Sequence, residues 1–219
     1  MSHDSVFAAV ARYGVVPVIA IESVEAALPL ADALLEGGLP LAEITFRTAA
    51  AAEVIAQMAR CRPALLLGAG TVLSEANVKA AKAAGARFAV APGLNPAVVQ
   101  SAAQSGLPFA PGVCTPSEIE QALGLACRVV KFFPAEPSGG VEMVKALAAP
   151  YSHMGLRFMP TGGVNTANLE SYLSVPAVAA VGGTWIAKPD DLAACRWQTI
   201  RDRCQEAVAI VRRVRGVAW

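Results

Sequence analysis

Lys131 has two apolar residues on either side, in the run Val129-Val130-Lys131-Phe132-Phe133-Pro134. An ammonium among apolar neighbours is costly to bury in its charged form. Desolvation favours the neutral amine, which attacks carbonyl carbons and forms Schiff bases. The plainer alternative is a lysine that snorkels from a strand end or pairs with a carboxylate. A second polar interruption is Glu43, in Leu41-Ala42-Glu43-Ile44-Thr45-Phe46-Arg47. Strand alternation places Glu43, Thr45 and Arg47 on one side. If that side faces inward, a carboxylate enters the interior and Arg47 stands at its mouth. There Arg47 either neutralises Glu43 or grips a substrate carboxylate or phosphate with its forked donors. Beside a Schiff-base lysine, Glu43 reads as a general base. The same alternation sets Phe133 on the side of Lys131.

Two glycine turns form the third feature, Thr161-Gly162-Gly163-Val164 and Gly182-Gly183-Thr184. Glycines let backbone amides approach a phosphate, and helix N-termini add positive potential. Tight turns without a ligand are the alternative. Thr71, which closes Gly68-Ala69-Gly70-Thr71, and Thr161 offer hydroxyls that orient a bound keto acid, or else serve ordinary turn chemistry. Gly68-Ala69-Gly70 lacks the full spacing of a dinucleotide fingerprint, and there is no Walker lysine motif.

The elements that position these residues repeat along the chain. Short apolar runs cover 15–20, 41–45, 65–69, 88–91, 108–111, 129–133, 158–160 and 179–182. Continuous apolar runs of this length suit strands of a parallel sheet. Ala-rich segments of helical length lie between them, at 24–36, 49–60, 75–84, 96–104, 116–125, 141–149 and 166–173, with 191–215 after the last strand. Ser23, Ser74, Asn95 and Thr115 sit where N-caps belong, and Pro96 and Pro116 follow at the tolerated first position. Gly37, Gly85, Gly106 and Gly124 sit where helices should end. Eight such units most simply close into an α/β (β/α)8 TIM barrel, with residues 2–12 as an extra N-terminal helix under it. No linker divides residues 1–219, which reads as a single domain. In a barrel, chemistry gathers at the C-terminal ends of the strands, where Lys131, Glu43 and the glycine turns all fall.

Composition narrows the classes. The 219 residues are 55% hydrophobic and 16% charged, which excludes a disordered chain. Lys and Arg total 18 against 17 Asp and Glu, leaving no electrostatic footprint for nucleic acid or an anionic membrane. No apolar run reaches the ~18 residues of a spanning helix. Met1-Ser2-His3-Asp4-Ser5 lacks the basic start of a secretory signal. The five cysteines, Cys61, Cys114, Cys127, Cys195 and Cys204, make no C-x-x-C pair and read as free thiols of a cytoplasmic protein. His3 and His153 are far apart, so no metal site is expected. Arg196, Arg201, Arg203, Arg212, Arg213 and Arg215, interspersed with Asp202 and Glu206, read as a solvated helix face or a subunit contact.

Several strings together resemble one family. Val-Val-Pro-Val-Ile (15–19), Glu-Ile-Thr-Phe-Arg-Thr (43–48), Gly-Ala-Gly-Thr-Val-Leu (68–73), Lys-Phe-Phe-Pro-Ala-Glu (131–136), Pro-Thr-Gly-Gly-Val (160–164) and Gly-Gly-Thr-Trp (182–185) are similar, in order, to the 2-keto-3-deoxy-6-phosphogluconate aldolases. These are class I aldolases of the Entner–Doudoroff pathway. The resemblance implies a homotrimeric barrel without metal or organic cofactor. It implies a phosphorylated keto acid as substrate, with pyruvate and glyceraldehyde 3-phosphate as products and 4-hydroxy-2-oxoglutarate as a second substrate. Lys131 falls on the Schiff-base lysine and Glu43 on the acid/base carboxylate. Arg47, Thr71, Pro92, Phe133 and Thr161 fall on the substrate site. Gly162, Gly163, Gly183 and Thr184 fall on the phosphate site, where the family commonly has Ser in place of Thr184. The related phosphogalactonate aldolases tend to have Asn-Ser where this chain has Arg47-Thr48, and Ser-Ser where it has Ala135-Glu136. That difference favours the gluconate epimer. A phosphate-binding barrel isomerase or decarboxylase without covalent chemistry, and a non-catalytic sugar-phosphate binder, are the rival readings.

Overall fold

The computed structural model describes residues 3–216. The N-terminal helix expected at 2–12 is α1, His3–Tyr13; Ser2, its first expected residue, lies outside the described residues. Strands and helices then alternate: β1 Val15–Ile19, α2 Ala27–Glu36, β2 Leu41–Thr45, α3 Ala51–Cys61, β3 Leu66–Gly70, α4 Glu75–Ala83, β4 Phe88–Val90 and α5 Pro96–Gln104. The chain continues through β5 Phe109–Ala110, β6 Gly112–Val113, α6 Pro116–Gly124, β7 Val129–Phe132, α7 Gly140–Ala148, β8 Arg157–Pro160, α8 Leu169–Leu173, β9 Val181–Gly183, α9 Pro189–Ala193 and α10 Trp197–Arg215.

Every strand pairing is parallel. The strands form two ladders, β5-β4-β3-β2-β1-β9 and β6-β7-β8. Pro111 alone separates β5 from β6, and bridges Phe158↔Val178 and Thr161↔Gly182 tie the β8 strand to the β9 strand. The result is an α/β fold with a curled parallel sheet. The fifth apolar run was expected as one strand over 108–111. It is instead two short strands, because Pro111 has no N–H to continue the ladder.

Strand alternation divides the core in two. Val15, Ala42, Ile44, Val130, Phe132 and Phe158 pack outward against the helices. Val16, Leu41, Phe88, Val129 and Met159 point inward, where Val6, Phe7 and Val10 of α1 cover them from below. The Phe7 and Phe88 rings lie 5.9 Å apart, tilted by 58°. Continuing the period of two along β2 and β7 puts Glu43, Thr45 and Lys131 inside, one layer above this apolar floor. The polar side chains of this interior layer come from alternate strand positions.

Ser74, Asn95 and Thr115 cap α4, α5 and α6, and Thr115 with Glu118 completes a reciprocal capping box. Other expected boundaries move. Ser23 does not cap α2; its Oγ accepts from the Ala26 N–H within a preceding turn, and the helix starts at Ala27. Gly124 is still helical, and Ala126 takes the left-handed conformation beyond it. Gly37 is likewise right-handed and Gly38 makes the turn. The segment expected as helix at 166–173 starts only at Leu169, because the Asn165 side chain closes a turn on the Ala167 N–H. The segment at 191–215 is two helices, α9 and α10, broken where Cys195 has φ +52°.

Candidate active site

Lys131 and Glu43 meet inside the sheet. Lys131 Nζ donates to Glu43 Oε1 at 3.0 Å, and their side chains are 6% and 1% exposed. Arg47 does not neutralise Glu43; it is exposed on the loop after β2, with Nε 3.2 Å from Thr45 Oγ1. The remaining Glu43 oxygen, Oε2, is buried without a hydrogen-bond partner among the described residues. An unpaired buried carboxylate oxygen is expensive, which marks a place for a substrate hydroxyl or a water. The carboxylate reaches Gly70 of the adjacent β3, the register partner of Thr45; a Cβ at Gly70 would come 2.1 Å from Oε1. Glycine at 70 therefore makes room for the Glu43 side chain and does not serve a turn.

The other predicted residues line the same end of the sheet, since all strands run parallel and each residue follows or ends a strand. Thr71 follows β3 with φ +56°, a strained conformation for a β-branched residue. Pro92 follows β4 and lies against Gly112, where a Cβ would come 2.1 Å from the Pro92 carbonyl; Gly112 is the register partner of Lys131. Phe133 follows β7 with its ring centroid 5.9 Å from Lys131 Nζ. Thr161 follows β8, is 3% exposed, and crosses Gly182, where a Cβ would meet its Oγ1 at 2.1 Å.

The two glycine turns are side by side, joined by the Thr161↔Gly182 bridge. Gly162 and Gly163 have φ of +104° and +83°, backbone conformations that favour glycine. Asn165 and Asn168 side-chain amides both donate to the Gly163 carbonyl at 3.3 Å, which fixes the turn. Thr184 follows β9 and is exposed. Sequence reasoning missed Asn165 and Asn168; an Asn-x-x-Asn pair just after a Gly-Gly turn is the signal that was there to read.

The C-terminal arginines are not a plain solvated face. Arg203 donates to Asp191 at 2.5 Å and to the Trp185 and Ile186 carbonyls, holding the segment after Thr184. Arg196 takes the other Asp191 oxygen at 2.9 Å, Arg201 pairs with Glu36 and Arg213 with Glu170. Arg215 reaches the carbonyls of Ala11, Val178 and Ala179. The Arg203 hydrogen bond, and Arg196 after it, hold the Asp191 carboxyl below the usual carboxylate range despite its burial. A lowered folded-state value contributes stability that is present above the unfolded value and lost as pH falls through the folded one. Asp191→Ala should therefore cost about 2–3 kcal/mol at neutral pH, or roughly 5–10 °C in Tm, and the difference from the parent should shrink below about pH 4. Thermal melts at pH 7 and pH 3 check this; an equal difference at both pH values would remove the ionised carboxylate as its cause.

No helix among the described residues is long and apolar enough to cross a membrane. The chain matches the family model "KDPG and KHG aldolase" over residues 6–203. It is 45% identical to the 2-dehydro-3-deoxy-phosphogluconate aldolase of Treponema pallidum, over 94% of this chain and 98% of that protein. Among solved structures, it is similar to the KDPG aldolase of Legionella pneumophila with pyruvate captured as a covalent carbinolamine: TM-score 0.88, 38% identity, 94% of this chain and 98% of that one. It is also similar to the 2-keto-3-deoxy-6-phosphogluconate aldolase of Zymomonas mobilis solved with 3-phosphoglycerate: TM-score 0.84, 36% identity, 95% of each chain. A buried lysine–carboxylate pair at the open ends of a parallel sheet, and likeness over nearly the full length, lead to one assignment: the chain belongs to the KDPG and KHG aldolase family.

Proposed function

We propose that this protein is a class I aldolase that cleaves 2-keto-3-deoxy-6-phosphogluconate to pyruvate and glyceraldehyde 3-phosphate, and 4-hydroxy-2-oxoglutarate to pyruvate and glyoxylate. The observation that carries the reading is the buried Lys131–Glu43 contact of 3.0 Å, with the second Glu43 oxygen left open. A proton passing from Nζ to Oε1 produces a neutral amine and a carboxylic acid together. The amine attacks C2 of the keto acid; the acid protonates the carbinolamine oxygen, which leaves as water. The resulting iminium accepts the electron pair of the C3–C4 bond. Glu43, as carboxylate again, removes the C4 hydroxyl proton, directly or through a water, and the aldehyde departs. The enamine takes a proton at C3, and water releases pyruvate from Lys131.

Arg47 and Thr161 receive the keto acid carboxylate in this reading, with Thr71 and Pro92 beside it and Phe133 against the pyruvyl unit. Gly162, Gly163, Gly183 and Thr184 take the phosphate; the positive-φ glycines and the pairing of the two turns side by side support that placement. The relative solved with 3-phosphoglycerate and the 45% identical phosphogluconate enzyme favour the gluconate epimer over the galactonate one. The architecture belongs with this reading: one closed (β/α)8 domain, floored by α1 and assembled as a homotrimer in the cytoplasm, with no part for nucleic acid.

Borohydride reduction in the presence of pyruvate, followed by peptide mapping, tests the assignment. A reduced pyruvyl adduct is expected on Lys131. No adduct on a folded protein would overturn the covalent scheme in favour of a phosphate-binding isomerase or decarboxylase. An adduct on Lys79, Lys82, Lys145 or Lys188, all exposed, would keep the chemistry and discard this site.

A further inference from the structure

Past the end of β7, the backbone that carries Lys131 stays zipped to the Gly162–Gly163 turn. Thr161 N–H donates to the Phe132 carbonyl at 2.9 Å, Ala135 N–H to the Thr161 carbonyl at 2.8 Å, and Glu136 N–H to the Gly162 carbonyl at 3.0 Å. Glu136 then lays its side chain over the turn: a Cβ on Gly163 would come 2.6 Å from both Cβ and Cγ of Glu136. Its carboxylate continues away from the backbone to Tyr172 of α8, whose hydroxyl donates to Oε1 in a short hydrogen bond. Tyr172 is fully buried. Gly140, at φ +62°, leaves room for this contact, since a Cβ there would lie 3.2 Å from Glu136 Oε1 and 3.6 Å from the Tyr172 hydroxyl. Burial first, and Glu136 second, push the Tyr172 pKa upward, so the hydroxyl remains a donor throughout the working pH range.

We propose that Tyr172 and Glu136 are positioning residues that set the Gly162–Gly163 turn against the lysine-bearing loop, and so govern affinity for the phosphate end of the substrate. The inference rests on the reading of that turn as the phosphate site. The brace links three segments: the loop after β7, the turn after β8, and α8. The last two are also tied by Asn165 and Asn168 on the Gly163 carbonyl. Without the tyrosine hydroxyl, Glu136 has no fixed rotamer over Gly163. The turn then loses the side chain that covers it at Gly163. The imine chemistry lies on Lys131 and Glu43, which neither residue touches.

The test compares steady-state kinetics on the phosphorylated substrate and on 4-hydroxy-2-oxoglutarate, which has no phosphate. Tyr172→Phe should raise KM for the phosphorylated substrate about five- to tenfold, with kcat within about threefold and KM for 4-hydroxy-2-oxoglutarate within about twofold. Glu136→Ala should do the same. Glu136→Gln keeps both the acceptor and the cover over Gly163, and should stay within about twofold of the parent on both substrates. Thr184→Glu, which sets a carboxylate at an exposed position of the phosphate site, serves as the reference. It should raise KM for the phosphorylated substrate alone, by tenfold or more. If Thr184→Glu shifts the ratio of the two KM values and Tyr172→Phe does not, the brace is wrong and the phosphate site stands. If Thr184→Glu leaves the ratio unchanged, the phosphate reading falls, and the brace with it. Equal losses on both substrates in Tyr172→Phe would also overturn the proposal, because a purely structural tyrosine would behave that way.

Discussion

Lys131→Ala should abolish borohydride-trappable pyruvate and lower kcat/KM for aldol cleavage by at least about four orders of magnitude, because no other amine lies where the iminium must form. The same change should destabilise the fold. It leaves Glu43, 1% exposed, as a buried carboxylate without its partner. Removing one member of a buried pair costs about 3–5 kcal/mol, more than the pair itself is worth. The two effects separate in a second variant. Lys131→Met with Glu43→Gln removes both charges and keeps the volume, so it should recover most of the stability and none of the activity. Denaturant midpoints and pyruvate release, measured on both variants, check this. Turnover above about a hundredth of the parent rate in Lys131→Ala would refute covalent catalysis. A double variant no more stable than Lys131→Ala would show that the buried charge is not what the single change exposes.

Lys131 and Glu43 were legible as single residues because each interrupts an apolar strand run, where a charge has few reasons to be. Their contact was not legible: 88 residues separate them, and adjacency depends on a sheet that curls until β2 and β7 face each other. Arg47 illustrates the limit. On one strand, alternation offered it to Glu43; across the sheet, Lys131 is the nearer cation. Glycine turns announced the phosphate loops, since only special backbone conformations call for Gly-Gly there. Gly70 and Gly112 carried no such signal, because each is glycine to make room for a neighbour that arrives from elsewhere in the fold. Tyr172 was hidden for a similar reason. A tyrosine on the buried face of a short helix reads as core, and its hydroxyl acquires meaning only when Glu136 meets it. The C-terminal arginines read as a solvated face or a subunit contact because their acceptors are carbonyls and carboxylates brought by the fold, and composition is blind to both.

Glu43→Gln is the change that divides proton transfer from imine formation. Glutamine has the same shape, and its amide oxygen still accepts from Lys131 Nζ across the 3.0 Å contact, so the pair geometry should survive. It can neither take a proton from the amine nor supply one to the carbinolamine oxygen. It also cannot take the C4 hydroxyl proton through the position of Oε2, which in the parent has no partner among the described residues. Expected is a kcat lower by about 10²–10⁴-fold, with KM for the phosphorylated substrate changed by less than about threefold, since Glu43 contacts neither phosphate turn. Borohydride trapping with pyruvate should still label Lys131, more slowly, because the nucleophile is intact. That combination belongs only to a proton shuttle. If Glu43 merely held Lys131 in place, the glutamine, which still holds it, would be nearly as active as the parent. If Glu43 bound substrate instead, KM would rise while kcat stayed. A slow, fully labelled enzyme with ordinary KM would therefore assign the carboxylate its role, and it would do so at a residue whose position depends on the neighbouring strand: Gly70, paired with Thr45, keeps open the space that the carboxylate occupies.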